Sequence, residues 1–373
     1  MNIRYLYPFI ILLLNFQFSF GQEQFGSAQS NYSPATTVYH NPSSIVDSEV
    51  MIDIHIGGIG GFLHSNYAYL PASEFSFFGD LVVKGEIPNA RFNKSREDYS
   101  LYSTVDMQYL SGTYQYKQHG FALTSRARAF GDVRNVPEIF ANSIKTPEIR
   151  GKSDLSTNIL NRNLSMKNVN ISVLSYAEVG LSYANAIKHY DRNLVIIGGT
   201  IKKLWGVTGG GIQINNLDYR IDTSGTFSYS NLDASSASTE GVLGGGGWAF
   251  DLGITYKRML DNVTSYNPFR KEAGCRIYDY KWKVAASIID VGYVNFSKDA
   301  SKSSVSNVSG DLEDFSSFRI SGDPDGFFTN TLGVDENRIK KESSFTSILP
   351  AAFVFQYDYN FEKKNLYFSI QFM

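Results

Sequence analysis

Much of what an enzyme or a nucleic-acid binder would need is missing from this sequence. Cys275 is the only cysteine in 373 residues, which excludes an intramolecular disulfide and leaves no thiol-based metal or redox motif. The five histidines, His40, His55, His64, His119 and His189, form no HExxH pair and no close His/Cys pairing. GxSxG is absent, and no nucleophile–base pair can be assembled from the residues, so no enzymatic activity, cofactor or metal is expected. The glycines between Gly57 and Gly61 do not read as GxGxxG opening a helix, which removes a nucleotide site. Only 19% of residues are charged and the net charge is -2; a dedicated nucleic-acid surface would be basic. Past the N-terminus nothing approaches the ~20 continuous apolar residues of a spanning helix.

What is abundant is aromatic: 24 Tyr and 27 Phe, with Trp 14% of the chain, a composition suited to β-structure and to membrane-interface girdles. The start reads as an export signal over residues 1–21. Arg4 supplies the charge, Tyr5 to Phe16 the apolar core, and Ser19-Phe20-Gly21 the small residues of a cleavage site. No cysteine follows Gly21, which excludes a lipoprotein anchor.

From residue 50 onward the dominant period is two. In GWAFDLGITYK, Trp248, Phe250, Leu252, Ile254 and Tyr256 share one face, against Ala249, Asp251, Gly253, Thr255 and Lys257. Phe353 to Phe361 and Leu366 to Phe372 alternate in the same way, and Arg126 and Arg128 fall opposite Ala127 and Ala129. The alternation predicts strands near 50–57, 102–117, 120–130, 166–186, 194–206, 211–222, 226–231, 246–259, 278–297, 349–361 and 365–373. Large aromatics on one face and polar residues or glycine on the other, at lengths near the 9–11 residues of a tilted crossing, predict an all-β transmembrane antiparallel β-barrel over residues 50–373. Only a closed barrel lets strands span lipid with every backbone group paired.

Tight turns are expected at Lys117-Gln118-His119-Gly120 and Glu362-Lys363-Lys364, long outer loops near 131–167 and 298–344, and irregular structure from Gly60 to Tyr99. The Ser-rich tract from Asp233 to Thr239 and Gly244 to Gly247 reads as a flexible outer loop. Eleven strands is odd, whereas bacterial single-chain barrels have even numbers. Either the count is off by one or further strands lie beyond residue 373.

Several segments are similar to known proteins. NYSPATTVYHNPSSIVD resembles the Asn-Pro-Ala start of FadL-type channels for hydrophobic compounds and their Bacteroidota relatives. GWAFDLGITYKR resembles their Gly-x-Gly-Phe-Asp-Leu-Gly-x-x-Tyr segment. ASIIDVGYVNF and ILPAAFVFQYDYNFEKKNLYFSIQF are similar to the Ser-x-x-Asp-x-Gly strand and the Leu-Pro hairpin of an uncharacterised Bacteroidota outer-membrane barrel family. The FadL type implies a 14-stranded barrel around an N-terminal hatch. By that likeness residues 22–49 form the hatch, His40, Asn41, Pro42 and Ser43 are its ligand or docking candidates, and Ser43 replaces the usual Ala. Fourteen strands against eleven would leave three unaccounted for.

Among the strand residues, Asp251 and Asp290 read either as a functional pair or as structural groups hydrogen-bonded to neighbouring strands. Arg126 and Arg128 read as a ladder for an anionic headgroup or as partners of Glu178 and Asp106 across the lumen. Gly57, Gly58, Gly60 and Gly61 mark a bend or bulge, which by the FadL likeness becomes a candidate lateral gate. Trp205, Trp248 and Trp282 are expected near strand ends as interfacial anchors. The expected function is a FadL-like outer-membrane channel for small hydrophobic molecules; the alternative is a non-transporting scaffold or accessory of a secretion or gliding system. Expected partners are outer-membrane lipid and lipopolysaccharide, the barrel assembly machinery, and a small hydrophobic ligand or secretion-system proteins. VYHNPSSIVDSE, Val38 to Glu49, reads as a solvated linker or as the plug itself.

Overall fold

A computed structural model describes residues 33–48, 50–69, 91–93, 98–137, 161–190, 192–224, 226–260, 280–312, 326–361 and 366–373. The expected signal peptide, the first part of the expected hatch (22–32), Cys275 and the Glu362–Lys364 turn lie outside these residues. Among the described residues no helix is long and apolar enough to cross a membrane.

The chain is all-β apart from a few short helical turns. Two of these, α1 (Pro34–Thr37) and α2 (Ser44–Asp47), precede the first strand. The strands that follow are β1 (Ile52–His55), β2 (Gly58–Ser65), β3 (Ala68–Tyr69), β4 (Arg91–Phe92), β5 (Asp98–Gln108), β6 (Ser111–Tyr116), β7 (His119–Pro137), β8 (Asn163–Tyr190), β9 (Asn193–Ile221), β10 (Phe227–Thr239), β11 (Gly245–Met259), β12 (Tyr280–Phe296), β13 (Ala300–Leu312), β14 (Lys340–Glu342), β15 (Phe345–Ile348), β16 (Ala352–Phe361) and β17 (Leu366–Phe372). One antiparallel sheet takes all but β3 and β4, in the order β1-β6-β7-β8-β9-β11-β12-β16-β17. Among the described residues it is open: β1 and β17 stand at its two edges and do not pair with each other.

The sheet is nevertheless strongly curled. Arg126 on β7 and Asp290 on β12 are separated along the sheet by β8, β9 and β11, a distance of about 19 Å at ~4.8 Å per strand if flat. Their side chains meet at 3.0 Å. Right-handed twist and coiling therefore bring the inner faces of distant strands into contact.

Burial follows the alternation read from the sequence, with the polar set inside. On β11, Asp251, Thr255 and Lys257 are buried, while Leu252 is 68% exposed and Trp248, Phe250 and Ile254 are also exposed. On β7, Arg126 and Arg128 are buried while Phe121 and Leu123 face out.

Several predicted boundaries need correction. The segments 194–206 and 211–222 are one strand, β9, of 29 residues. The glycines between them lie against neighbours rather than making a turn: a Cβ at Gly206 or Gly209 would come within 2.6 Å of the Phe296 ring. The Ser-rich tract is not a flexible loop either. It is the second half of β10, paired on one side to β9 and on the other to β13, because small hydroxyl side chains fit between two strands that satisfy its backbone. The region 298–344 likewise contains β13 and β14, and Gly60 to Tyr99 begins with the regular strand β2. Residues 138–160 of the 131–167 loop lie outside the described residues, and its ends belong to β7 and β8.

Beyond the curled region, β8, β9, β10, β13 and β14 continue as an outer layer. It has its own apolar core around Ile221, Phe227, Leu232 and Phe328, all fully buried. Two smaller apolar clusters lie nearer the other end: Phe130, Tyr176, Leu204 and Phe296 in the middle, and Tyr39, Ile45, Val46 and Ile196 beneath.

Candidate functional site

Between the two smaller apolar clusters lies a layer of buried charge. Arg126, Arg128 and Lys202 meet Asp106, Glu178, Asp251 and Asp290, and all seven side chains are at most 9% exposed. Such charges are tolerated out of water only when each is paired and hydrogen-bonded. Neighbouring strands supply the first pairs. Arg126 stands opposite Glu178 and Arg128 opposite Asp106 in strand register, and Arg126 donates to both Glu178 and Asp106. The expected partners of the two arginines are therefore correct, but they sit beside them rather than across the interior.

The group that does reach across is Asp290. Its carboxylate takes Arg126 Nη2 at 3.0 Å, Arg128 Nη1 at 2.6 Å and Lys202 Nζ at 2.6 Å. Lys202 also bonds Asp251 at 2.6 Å, so one ammonium joins the two aspartates. Asp290 occupies a bulge in β12. Phe250 pairs with Val291 but Leu252 with Ile288, leaving one extra residue on β12, and Asp290 takes a left-handed φ of 59°. Ile289 and Asp290 both turn inward as a result. Asp251 supports the bulge by accepting the Asp290 backbone N–H at 2.7 Å. Asp is among the few residues that tolerate this backbone region, and a bulge is a recognised way of re-aiming a side chain. Asp251 and Asp290 are thus joined in one hydrogen-bonded assembly through Lys202 and the bulge.

Residues 33–48 dock immediately below. Tyr39 Oη pairs with Ser111 Oγ at 2.8 Å, and its ring lies 4.8 Å from the Arg126 guanidinium carbon. Asn41 accepts from the Ser43 N–H at 3.0 Å and the Ser43 hydroxyl at 2.7 Å, fixing an Asx-type turn around Pro42. Ser43 Oγ in turn meets Thr255 Oγ1 at 2.7 Å, and Ser287 donates to the His40 carbonyl. Asp47 pairs with Lys257 and with Lys283, the latter at 3.2 Å, and Lys283 continues to Asp358 at 3.1 Å.

Two glycines make the seat. A Cβ at Gly253 would collide with the Asn41 side chain, and one at Gly198 would sit 2.6 Å from the Pro42–Ser43 peptide. Each is the inward position of its strand, so only hydrogen leaves room for the turn. The remaining space, lined by Thr37, His40, Asp47, Thr255, Lys283 and Gln356, is a cavity of about 30 Å³, large enough for a water and not for an organic ligand.

Three segments singled out in the sequence therefore meet at one place: His40 to Ser43, the strand Gly247 to Tyr256 with Asp251 and Gly253, and Ser287-x-x-Asp290-x-Gly292. The sequence did not single out Lys202 or Lys283, or tie Asp47 to Lys257. Alternation from Asp251 and Arg126 would have put Lys202 on the inner face, but its partner on β12 depends on the curl. The glycines Gly57, Gly58, Gly60 and Gly61 are not part of this assembly. They belong to the edge, where β1 and β2 are interrupted at Ile56–Gly57 opposite Tyr109–Leu110 with no change of register. Trp205 is not near a strand end, because β9 continues to Ile221; it does lie level with the start of β11, opposite Gly246. His119 opens β7 and His189 lies near the end of β8, so both belong to strands beside the short β6–β7 and β8–β9 connections and not to the turns themselves.

His40 gives a direct test of the docking. Both its ring nitrogens are shut off from solvent without a hydrogen-bond partner among the described residues. Burial, then Arg126, Arg128 and Lys202, push its pKa down from 6.5 to about 4, with Asp290 opposing. A depressed folded-state pKa supports folding above the unfolded value and withdraws that support as pH falls through the folded one. Docking of residues 33–48 is therefore expected to weaken between pH 6.5 and 4, measured as amide exchange of residues 38–48, and His40→Gln is expected to flatten that dependence. An unchanged pH profile in His40→Gln would refute the assignment.

Fold and site together define an all-β protein with its polar face turned inward, its interior filled by a buried charge layer and an N-terminal segment seated on glycines. By family, the chain belongs to DUF5723, a family of unknown function, which matches residues 42–373. No curated protein and no solved structure matches the chain.

Proposed function

We propose that this chain is an outer-membrane β-barrel protein of FadL-like type, exported by its N-terminal signal, in which residues 33–48 are the plug and small hydrophobic molecules are the cargo. The observation that carries this reading is the reversed sheet. Its outward face exposes Leu181, Leu252, Phe353 and Ile288, a continuous apolar surface that water disfavours, while the charges point inward, as in transmembrane barrels.

Aromatic levels support it. Trp248 stands opposite Tyr293 at one level; Tyr256, with Trp282 at 5.0 Å between ring centres, stands at another. The eight residue steps from Trp248 to Tyr256 span about 27 Å along the strand, or about 20 Å of height at a tilt of ~40°. That is close to the ~25 Å apolar band of such barrels. The plug supports the transport reading because polar contacts and ion pairs, which water can replace, hold it alongside the apolar packing of Val38, Tyr39, Ile45 and Val46.

The protein is expected in the detergent-soluble outer-membrane fraction, where purified material should bind a labelled long-chain fatty acid saturably. Deleting residues 33–48 should raise the passage of that probe across reconstituted vesicles. Recovery of the protein in the aqueous fraction, or the absence of saturable binding, would sink the reading.

The outer layer favours a second reading. A sheet extension with its own apolar core suits a non-transporting scaffold or accessory of a secretion or gliding system. Removal of 298–344 would then abolish complex formation and leave uptake unchanged.

A further inference from the structure

On the outward face of the sheet lies a depression with an apolar bed and one polar end. The bed crosses the strands where outward side chains are smallest, over Gly199 on β9 and Ala286 on β12, between Leu252 and Phe353. Its volume is about 540 Å³, within the range of small-molecule sites. No charged side chain lines it. At the β8 end the lining turns polar, with Tyr183 and Asn185.

A third residue holds these two. His119 on β7 stands opposite Asn185 in strand register. The Asn185 carboxamide nitrogen donates to His119 Nδ1 at 2.8 Å and to Tyr183 Oη at 3.2 Å. The Tyr183 hydroxyl lies 2.8 Å from the same Nδ1. An amide nitrogen can only donate, so Nδ1 accepts and the ring proton sits on Nε2. The cluster is thereby left with one open donor, His119 Nε2–H, and one open acceptor, Asn185 Oδ1. Neither has a partner among the described residues, and the imidazole is exposed.

We infer that this depression binds an uncharged, hydroxyl-headed amphiphile of the long-chain alcohol class. Its alkyl chain lies over Gly199 and Ala286, and its hydroxyl bridges His119 Nε2 and Asn185 Oδ1. A hydroxyl donates and accepts at once, which matches the pair left open. A carboxylate only accepts, and it would face the Asn185 oxygen with no cation in the lining to offset its charge. This inference rests on the reading that the outward face lies in lipid, and it narrows the hydrophobic molecules of that reading to one class.

The test is binding of tritium-labelled hexadecanol to the detergent-solubilised full chain, with unlabelled hexadecanol, hexadecane and palmitate as competitors. Hexadecanol is expected to compete about tenfold better than either of the others, the scale of one to two net hydrogen bonds. His119→Phe and Asn185→Leu should each abolish its advantage over hexadecane while leaving an apolar bed. Gly199→Leu should weaken binding of hexadecanol and hexadecane alike by filling the depression. A Cβ there meets only ordinary contacts, at 3.4 Å from Leu252, so the fold is expected to survive. Equal competition by hexadecanol and hexadecane, stronger competition by palmitate, or native-like hexadecanol binding by Gly199→Leu would overturn the site. Saturable fatty-acid binding that persists after such a result would keep the transport reading and remove this site alone. A protein that needs no detergent would remove both.

Discussion

Asp290→Ala is expected to destabilise the folded protein by about 3–5 kcal/mol, the scale of breaking one side of a buried ion pair. The reason is the number of cations that lose their partner at once. Arg126, Arg128 and Lys202 all converge on this carboxylate, and none can move to water without opening the sheet. Arg126 and Arg128 keep Asp106 or Glu178, and Lys202 keeps Asp251, which limits the loss to one group's share. Asp290→Asn separates charge from backbone, since Asn also tolerates the left-handed conformation at this bulge. It should recover the backbone part of the loss only. Unfolding in urea followed by tryptophan fluorescence would measure the series, and Lys202→Met combined with Asp290→Asn should cost less than the sum of the two singles. An Asp290→Ala protein within about 0.5 kcal/mol of native, the range of ordinary surface substitutions, would refute the hub.

Gly253→Leu is expected to unseat residues 38–48 while leaving the sheet assembled. The new side chain would occupy the place of the Asn41 carboxamide, and the turn around Pro42 would have to lift, breaking the Ser43–Thr255 contact with it. Overpacking of this kind costs about 1–3 kcal/mol, which corresponds to roughly 5–150-fold greater exposure of the segment. Thiol labelling of Ser44→Cys in a Cys275→Ser background would report the exposure as a rate. Gly198→Val should act in the same direction from β9, where it meets the Pro42–Ser43 peptide. Gly199→Ala, one residue along but facing outward, should change nothing. If Gly253→Leu and Gly199→Ala label alike, the glycine seat has no part in holding the segment. Should the FadL-like reading hold, the first two variants are also those in which passage of a fatty-acid probe should rise.

Much of the sheet was legible because strand periodicity is local. Trp248 to Tyr256 alternate in the sequence and in exposure, and Val354 and Asp358 are the buried positions of Phe353 to Phe361, since successive side chains must leave opposite faces. The same rule put Arg126, Asp251 and Lys257 inside. Turn chemistry read less well. The glycines of 206–211 suggested a break and instead give Phe296 and the neighbouring backbones room, because glycine marks a close approach as readily as a turn. The serines of 233–239 suggested a loop, and pairing on both edges made them a strand.

By itself, then, the sequence determined the class of structure and which residues face inward. These follow from dihedral geometry and from the fixed period of the pleat. The tertiary structure alone decided that Asp290 meets Arg126 across three intervening strands, that Lys202 joins two aspartates, and that Gly198 and Gly253 form a seat. Those contacts depend on curl and on a one-residue bulge, which arise from twist accumulated over many strands and leave no local mark in the chain.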